Sequence, residues 1–296
     1  MKFRALFKRV MIGDIVIAIL MGMWALIILI PFVNVIMISF TTENEYLSTV
    51  VFVYPSNPTL NNYREIFKDP RIWIGYRNTL TLLLIGLPLS MFLTTSFAYG
   101  MSRTGYPGKK LIFVYVLITM FFNGGIIPLY LLMRELNLTN TLWSVILANS
   151  ISTFYMIIMR NFFYTIPESL IESARLDGAD DWRILWKIIL PLSMPILATI
   201  FLFYTVDRWN EWFHPLVFLQ RGTLHPLQLV LRNIVLNSQL DANIIQSGGT
   251  LVLDEQLFSM GLKTATIFVA LLPVMLLFPF LQKHFVKGIL IGAVKS

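Results

Sequence analysis

The side chains that most often perform covalent or metal chemistry are nearly missing from this chain. It has no cysteine, so disulfides, thiolate metal ligands and a Cys nucleophile are all excluded. His214, His225 and His284 are dispersed, and no metal-ligand spacing links them. The nearest approach to a phosphate loop is Gly108-Lys109, which has Arg103 where the first glycine of G-x-x-x-x-G-K-[ST] should stand. Methionine is frequent, as packing filler in apolar helices. What the chain concentrates instead is charge. Eight charged residues, Glu168, Glu172, Arg175, Asp177, Asp180, Asp181, Arg183 and Lys187, lie within Thr165–Pro191, with Leu170, Ala174 and Leu176 between them. That mixture suits a docking knob for a soluble protein.

Local signals give this segment a shape. Thr165 and Glu168 have capping-box spacing, and Pro167 suits a first helical turn. A helix is expected from about Pro167 to Leu176. Asp177-Gly178 should stop it, with Gly178 taking positive φ. Asp180 can cap a second helix that starts near Asp181 and enters an apolar stretch by Pro191.

A second set of polar residues stands inside apolar sequence. Asp207, Arg208, Asn210 and Glu211 cluster at the end of one such stretch, and ionisable groups there usually face a cavity or each other. Trp209 and Trp212 could stack on pyranose faces or belong to an interfacial aromatic belt. Asn123-Gly124-Gly125 should loosen a helix midway, which is tolerated where a cavity is lined. Asn149, Ser150 and Ser152 could serve the same cavity or join helices by hydrogen bonds.

The elements that carry these groups follow from composition. Of the 296 residues, 56% are apolar and 13% charged, against roughly 45–50% and about 25% in globular chains. Only lipid can cover so much apolar surface. Six stretches reach the about 20 residues that a hydrocarbon core requires: 15–40, 76–101, 111–133, 142–163, 190–209 and 259–281. The fifth is interrupted or bounded by Pro191, Pro195, Asp207 and Arg208. The first is too long for a signal-peptide core and lacks a following small-x-small site. An even number of spans puts both termini on one side. The segments on that side carry fourteen Lys and Arg and the longer segments opposite carry nine, so both termini are expected in the cytoplasm of a multi-pass bacterial inner-membrane protein. The net charge of +7 reflects this bias and anionic lipid, and there is no basic domain for nucleic acid.

Lys2–Arg9 alternates basic and apolar residues, as a surface helix or a topology anchor would. The outer segment Thr41–Arg71 carries turn signals at Tyr54-Pro55, Asn57-Pro58 and Asp69-Pro70, with a short helix expected over Leu60–Phe67. A longer outer loop, 214–258, contains an apolar stretch at Leu227–Leu236 and Gly248-Gly249. Loops of that length are usually functional.

Glu172-Ser173-Ala174, three residues, Gly178, nine residues, then Ile188-x-Leu190-Pro191 resembles the E-A-A-x3-G-x9-I-x-L-P loop of binding-protein-dependent ABC importer permeases. The only departure is Ser173, small for small. Further likeness, over nearly the whole chain, is to the sugar-importer permeases of the MalG type, in the LplC/YtcP-like branch. It is carried by Phe122-Asn123-Gly124-Gly125-Ile126-Ile127-Pro128, Asn140-Thr141-Leu142-Trp143, Met159-Arg160-Asn161-Phe162-Phe163, Trp209-Asn210-Glu211-Trp212 and Pro226-Leu227-Gln228-Leu229.

The resemblance implies an all-α integral membrane protein, a single six-helix permease domain of the MetI/MalG-like fold with a cytoplasmic coupling helix. Residues Glu168, Glu172, Ser173, Ala174, Asp177 and Gly178 would couple to an ATPase, Glu172 by pairing with a basic residue and Ala174 by permitting close approach. Asn123, Gly124, Asn149, Arg208, Trp209, Asn210 and Trp212 would line the substrate path. Partners would be a homologous permease, an ATPase dimer that binds ATP and Mg, and an extracytoplasmic solute-binding protein reached by the loop of about Leu216–Phe258. The tail Lys287–Lys295 would extend toward the ATPases. The branch is associated with complex oligosaccharides, uronate-containing ones among them, and alginate oligosaccharides lead. The chain itself would need no cofactor and perform no covalent chemistry. Two alternatives stay open: an importer permease for another solute class, and an ion-coupled secondary transporter, for which midplane ionisable residues and inverted repeats are expected but not evident.

Overall fold

A computed structural model of the chain describes residues 12–48, 54–103, 105–246 and 260–276. Lys2–Arg9, Gly248-Gly249, His284 and the tail Lys287–Lys295 lie outside them. Among the described residues every regular element is helical. Two helices are long and apolar enough to cross a membrane, and five spans result if each of three bent helix pairs counts as one.

The first long helix is Ile12–Ser39, with Pro31 inside it. Its residues 13–33 are all exposed. A helix that is apolar on every side has no face for water, so lipid or another helix must cover it. Asn62, on the short helix Asn61–Lys68, donates to the Ser39 and Thr41 carbonyls at 2.9 and 3.1 Å. It thereby satisfies carbonyls that the end of the long helix leaves unpaired.

The second long helix, Pro70–Ser102, begins as a capping argument requires. The Asp69 carboxylate accepts the Arg71 N–H at 2.8 Å, and Pro70 opens the first turn. Its middle widens to a π turn at Leu82–Gly86, two residues before Pro88. The same widening occurs at Leu185–Ile189, two residues before Pro191. A proline ring collides with the carbonyl four residues back and leaves it without a donor, and a wider turn relieves both problems.

Three expected spans are not continuous. The 111–133 span divides into Lys109–Phe121 and Ile126–Glu135, bent by 112°, with Gly125 at φ 86°. The 142–163 span divides into Leu142–Ala148 and Thr153–Phe163, bent by 49°. The 190–209 stretch turns by 86° between Asp181–Leu192 and Met194–Trp209. Apolar composition specifies how many residues can lie in lipid, but not whether they lie in a line. The 259–281 stretch is helical over Met260–Leu276, and its last residues lie outside the described ones. The described part of the 214–258 loop, residues 214–246, is largely helix, at Phe213–Phe218 and Leu227–Gln246.

Close contacts group the residues into two units, one of Met1–Lys68 with Ile234–Val269 and one of Asp69–Asn233 with Ala270–Ser296. The second holds the main core. There Leu87, Ala98 and Met101 of the Pro70–Ser102 helix meet Met156, Met159 and Phe163, Ile171 and Ala174, Ile184 and Ile189, and Ile200. The start of the Leu227–Gln246 helix is fixed to the same unit. Thr79 accepts the Leu227 N–H at 2.9 Å, and Asn78 donates to the carbonyls of Thr223 and His225 at 2.9 and 3.1 Å. The helices approach so closely there that a Cβ at Gly75 would stand 2.9 Å from the Leu227 Cα. Gly75→Ala should therefore cost about 1–3 kcal/mol by overpacking against backbone. A lowered midpoint of thermal unfolding, followed by fluorescence-detected size exclusion in detergent, checks this, and an unchanged midpoint refutes it.

Candidate functional site

The charged segment forms two short helices around a tight turn. The first, the docking helix, is Glu168–Leu176. Its expected capping box is absent. Pro167 occupies the cap position without a side-chain bond, and the Thr165 hydroxyl turns back to the Phe162 carbonyl at 2.7 Å. The preceding helix continues in turns through Ile166, which moves Thr165 too far upstream to cap.

The end of the helix is as expected. Gly178, at φ 79°, donates to the Arg175 carbonyl at 3.0 Å, and Ala179 donates to Ala174 at 2.9 Å. This pair of bonds is the Schellman arrangement, which favours glycine at the left-handed position. Asp180 then caps the second helix by accepting the Arg183 N–H at 3.0 Å. Arg175 and Asp181 form an ion pair at 3.0 Å across the turn, and that carboxylate raises the Arg175 pKa further.

The docking helix has two faces. Ile171 and Ala174 are buried in the main core, whereas Glu168, Glu172, Ser173, Leu176, Asp177 and Gly178 are exposed. The small side chain at 174 thus permits close approach to the chain's own helices, since it falls three residues after Ile171 on the inward face.

Met194–Trp209 carries the second site at its far end, about 24 Å along the helix from Met194. A cavity of about 500 Å³ opens there, lined among others by Asn149, Ser152, Asp207, Asn210, Glu211 and Trp212. Arg208, only 2% exposed, builds its wall. The guanidinium donates to the carbonyls of Val145 (3.0 Å), Ile146 (2.9 Å) and Asn149 (2.8 Å) and to the Ser90 hydroxyl (3.1 Å). Val145 and Ile146 lie in the last turn of Leu142–Ala148, where carbonyls lack helical donors and a cation is favoured. The guanidinium also rests on Gly86, where a Cβ would meet its Cζ at 3.2 Å.

Tyr204, one turn earlier on the same face, ties the same break in another way. Its hydroxyl accepts the Ser152 N–H at 2.9 Å and bonds the Thr94 hydroxyl at 2.6 Å. Glu211 closes the other side. It accepts the N–H groups of Phe213 and His214, both at 3.1 Å, and bonds the Asn149 amide. Burial works to raise its pKa, but the His214 side chain and these N–H donors outweigh it and hold the carboxyl below its ordinary value. Asp207 accepts the Tyr155 hydroxyl at 2.7 Å and is otherwise exposed to the cavity.

The cavity thus gathers Asn149, Arg208, Asn210 and Trp212 of the expected path residues, and the other three, Asn123, Gly124 and Trp209, do not line it. The terminal nitrogens of Arg208 bond backbone carbonyls that the helix break beside it leaves unpaired, while its buried Nε has no partner among the described residues. Trp209 is 4% exposed and donates its indole N–H to the Ala270 carbonyl at 3.1 Å. Falling on the packed face of its helix, it is covered by the chain itself. Asn123 accepts the Gly125 N–H at 2.9 Å, forming the turn at its own break, and neither Asn123 nor Gly124 lines this cavity. Sequence reasoning left out Tyr155 and Tyr204. The signal for Tyr204 was its spacing of four from Arg208, which puts both on one helix face.

Broken apolar helices, an exposed two-helix docking loop and a polar cavity at the far end of the helix that follows it define a membrane permease subunit. The chain belongs to the family of binding-protein-dependent transport system inner membrane components, whose pattern matches residues 5–291. It is similar to the polygalacturonan/rhamnogalacturonan transport system permease protein YtcP of Bacillus subtilis (strain 168), at 40% identity over 275 residues, 93% of this chain and 95% of that one. Protein LplC of the same organism is 38% identical over 275 residues, 93% and 92% of the two chains. Among solved structures, the crystal structure of a bacterial ABC transporter involved in the import of the acidic polysaccharide alginate matches at a TM-score of 0.82 and 30% identity, over 94% of this chain and 99% of that one. The chain is accordingly an all-α transport component of the inner membrane rather than an enzyme.

If Arg208 is structural, its loss should lower stability whether or not sugar is present. Arg208→Met leaves three buried carbonyls without a charged donor, each bond worth about 1.5 kcal/mol or more, and should cost on the order of 3–5 kcal/mol. Thermal unfolding of the assembled transporter with and without oligosaccharide checks this. A variant as stable as the parent but defective only in transport would instead make Arg208 a substrate-contacting residue.

Proposed function

We propose that the chain is the translocating subunit of an importer for oligosaccharides, acidic ones such as alginate or galacturonate oligomers included. The relatives' transport systems support the carbohydrate class, and the cavity chemistry is consistent with it. Asp207, Asn210 and Asn149 suit sugar hydroxyls, and Trp212 offers an aromatic face beside them. The guanidinium of Arg232 lies 4.4 Å above that ring. With Asp207 and Glu211 as its carboxylates, this cavity suits the neutral parts of a sugar. A uronate charge would then be met by the homologous permease that completes the path.

Energy enters through the docking helix. The observation that carries this reading is its division into an inward face fixed in the core and an outward face bearing Glu168, Glu172, Ser173 and Asp177. An ATPase that grips the outward face moves the bundle through the inward one. ATP and Mg belong to the partner ATPase dimer. Both termini lie in the cytoplasm with this loop, and the 214–258 segment faces the solute-binding protein on the other side.

Reversing one interface charge should cost about 2 kcal/mol or more, roughly thirtyfold in coupling. Glu172→Arg is therefore expected to remain in the membrane yet lose substrate-stimulated ATP hydrolysis in the assembled transporter. Gly178→Val, strained at positive φ, should behave alike. Near-normal stimulated hydrolysis in both would sink the assignment. Uptake by this chain alone that an uncoupler abolishes would favour ion-coupled transport instead.

A further inference from the structure

Along the second half of the Pro70–Ser102 helix run two cavities that share Ser96 and Leu185 and so form one groove. One part is walled by Pro88, Met91, Phe92, Leu190 and Leu197. The other is walled by Tyr99, Arg103, Tyr106, Asp181 and Trp182. The groove therefore grades from hydrocarbon at one end to polar and charged groups at the other. The rings of Phe92 and Trp182 stack 3° from parallel with centroids 6.4 Å apart. Both face outward, 48% and 55% exposed.

Two further measures fit one kind of occupant. From Pro88 to Arg103 the helix rises about 22 Å, and one leaflet with its headgroups spans about 20–22 Å. The charge at the polar end is net positive. Arg103 lies 4.9 Å over the Tyr99 ring and bonds only Ser102 through its guanidinium among the described residues, at 3.0 and 3.1 Å. The Lys109 amine bonds the Arg103 carbonyl, and Asp181 is offset by Arg175.

We propose that this groove seats one anionic phospholipid of the leaflet on the docking-loop side. Its phosphate meets Arg103, Lys109 and Tyr106, and an acyl chain lies past Ser96 against Phe92 and Leu197. The seat touches both the long helix and the Asp181–Leu192 segment that leaves the docking turn, so the lipid occupies the joint through which the docking loop moves the spans.

The test uses the complete transporter in nanodiscs of phosphatidylcholine with added phosphatidylglycerol, part of it carrying a photoactivatable acyl chain, with labelled peptides mapped by mass spectrometry. Label is expected on peptides containing Phe92 and Trp182 to Trp186, and inorganic phosphate should not compete. Arg103→Glu should lower labelling by phosphatidylglycerol about tenfold without lowering labelling by phosphatidylcholine. Ser96→Trp should remove the label from Phe92 peptides. Arg103 is half-buried at the end of its helix and its guanidinium bonds only Ser102 among the described residues, so its variant decides the question even if Ser96→Trp does not assemble. Equal labelling of Arg103→Glu and the parent, or crosslinking of these peptides to the partner permease instead of lipid, overturns the proposal.

Discussion

The second unit depends on one buried guanidinium. A transmembrane helix that stops short leaves carbonyls with no donor, and hydrocarbon supplies none. Leu142–Ala148 stops short, and Arg208 donates to the carbonyls of Val145, Ile146 and Asn149. The charge is tolerated because those oxygens and the Ser90 hydroxyl replace water, and the helix terminus contributes a favourable dipole. In return the guanidinium fixes the distance among three helices, which explains the bare backbone at Gly86 against it.

The cavity exists because of that clamp. With the Asn149–Ser152 break held open by Arg208 from one side and by Tyr204 from another, the Asn149 amide points at Glu211 and Asp207, held by the Tyr155 hydroxyl, faces the cavity. The polar lining is thus a by-product of satisfying a broken helix, made of groups left over from structural bonding. The prolines act similarly elsewhere. Pro88 and Pro191 each follow a widened turn, and the latter lies between the docking turn and the 86° bend at Ser193. The docking turn is consequently connected to Met194–Trp209 through a bend and not a rigid rod.

The docking helix shows how little sequence two functions require. Ile171 and Ala174 face the core while Glu172 and Ser173 face out, a division set by 3.6 residues per turn. The glycine turn behind it is the tightest requirement, because Gly178 must hold positive φ while Ala179 returns to the core.

Local features were legible in the sequence. The apolar stretches, the Asp180 cap, the Gly178 turn and the short helix near Leu60 all depend on neighbours within a few residues, so spacing alone fixes them. The permease pattern around Glu172 was legible for the same reason. Illegible were the angles at the three breaks, the inward direction of Ala174, and the roles of Arg208 and Trp209. Arg208 finds its acceptors 59 to 118 residues away, and Trp209 finds the Ala270 carbonyl 61 residues on. An isolated Arg-Trp pair at the end of an apolar stretch looks the same whether it meets a sugar or a backbone. Hydrophobicity and local hydrogen bonding determined which segments are apolar enough to enter a membrane and where the charged glycine turn forms. Only tertiary packing decided which polar groups were spent on unpaired carbonyls and which remained exposed to the cavity, because that choice depends on distances the sequence does not contain.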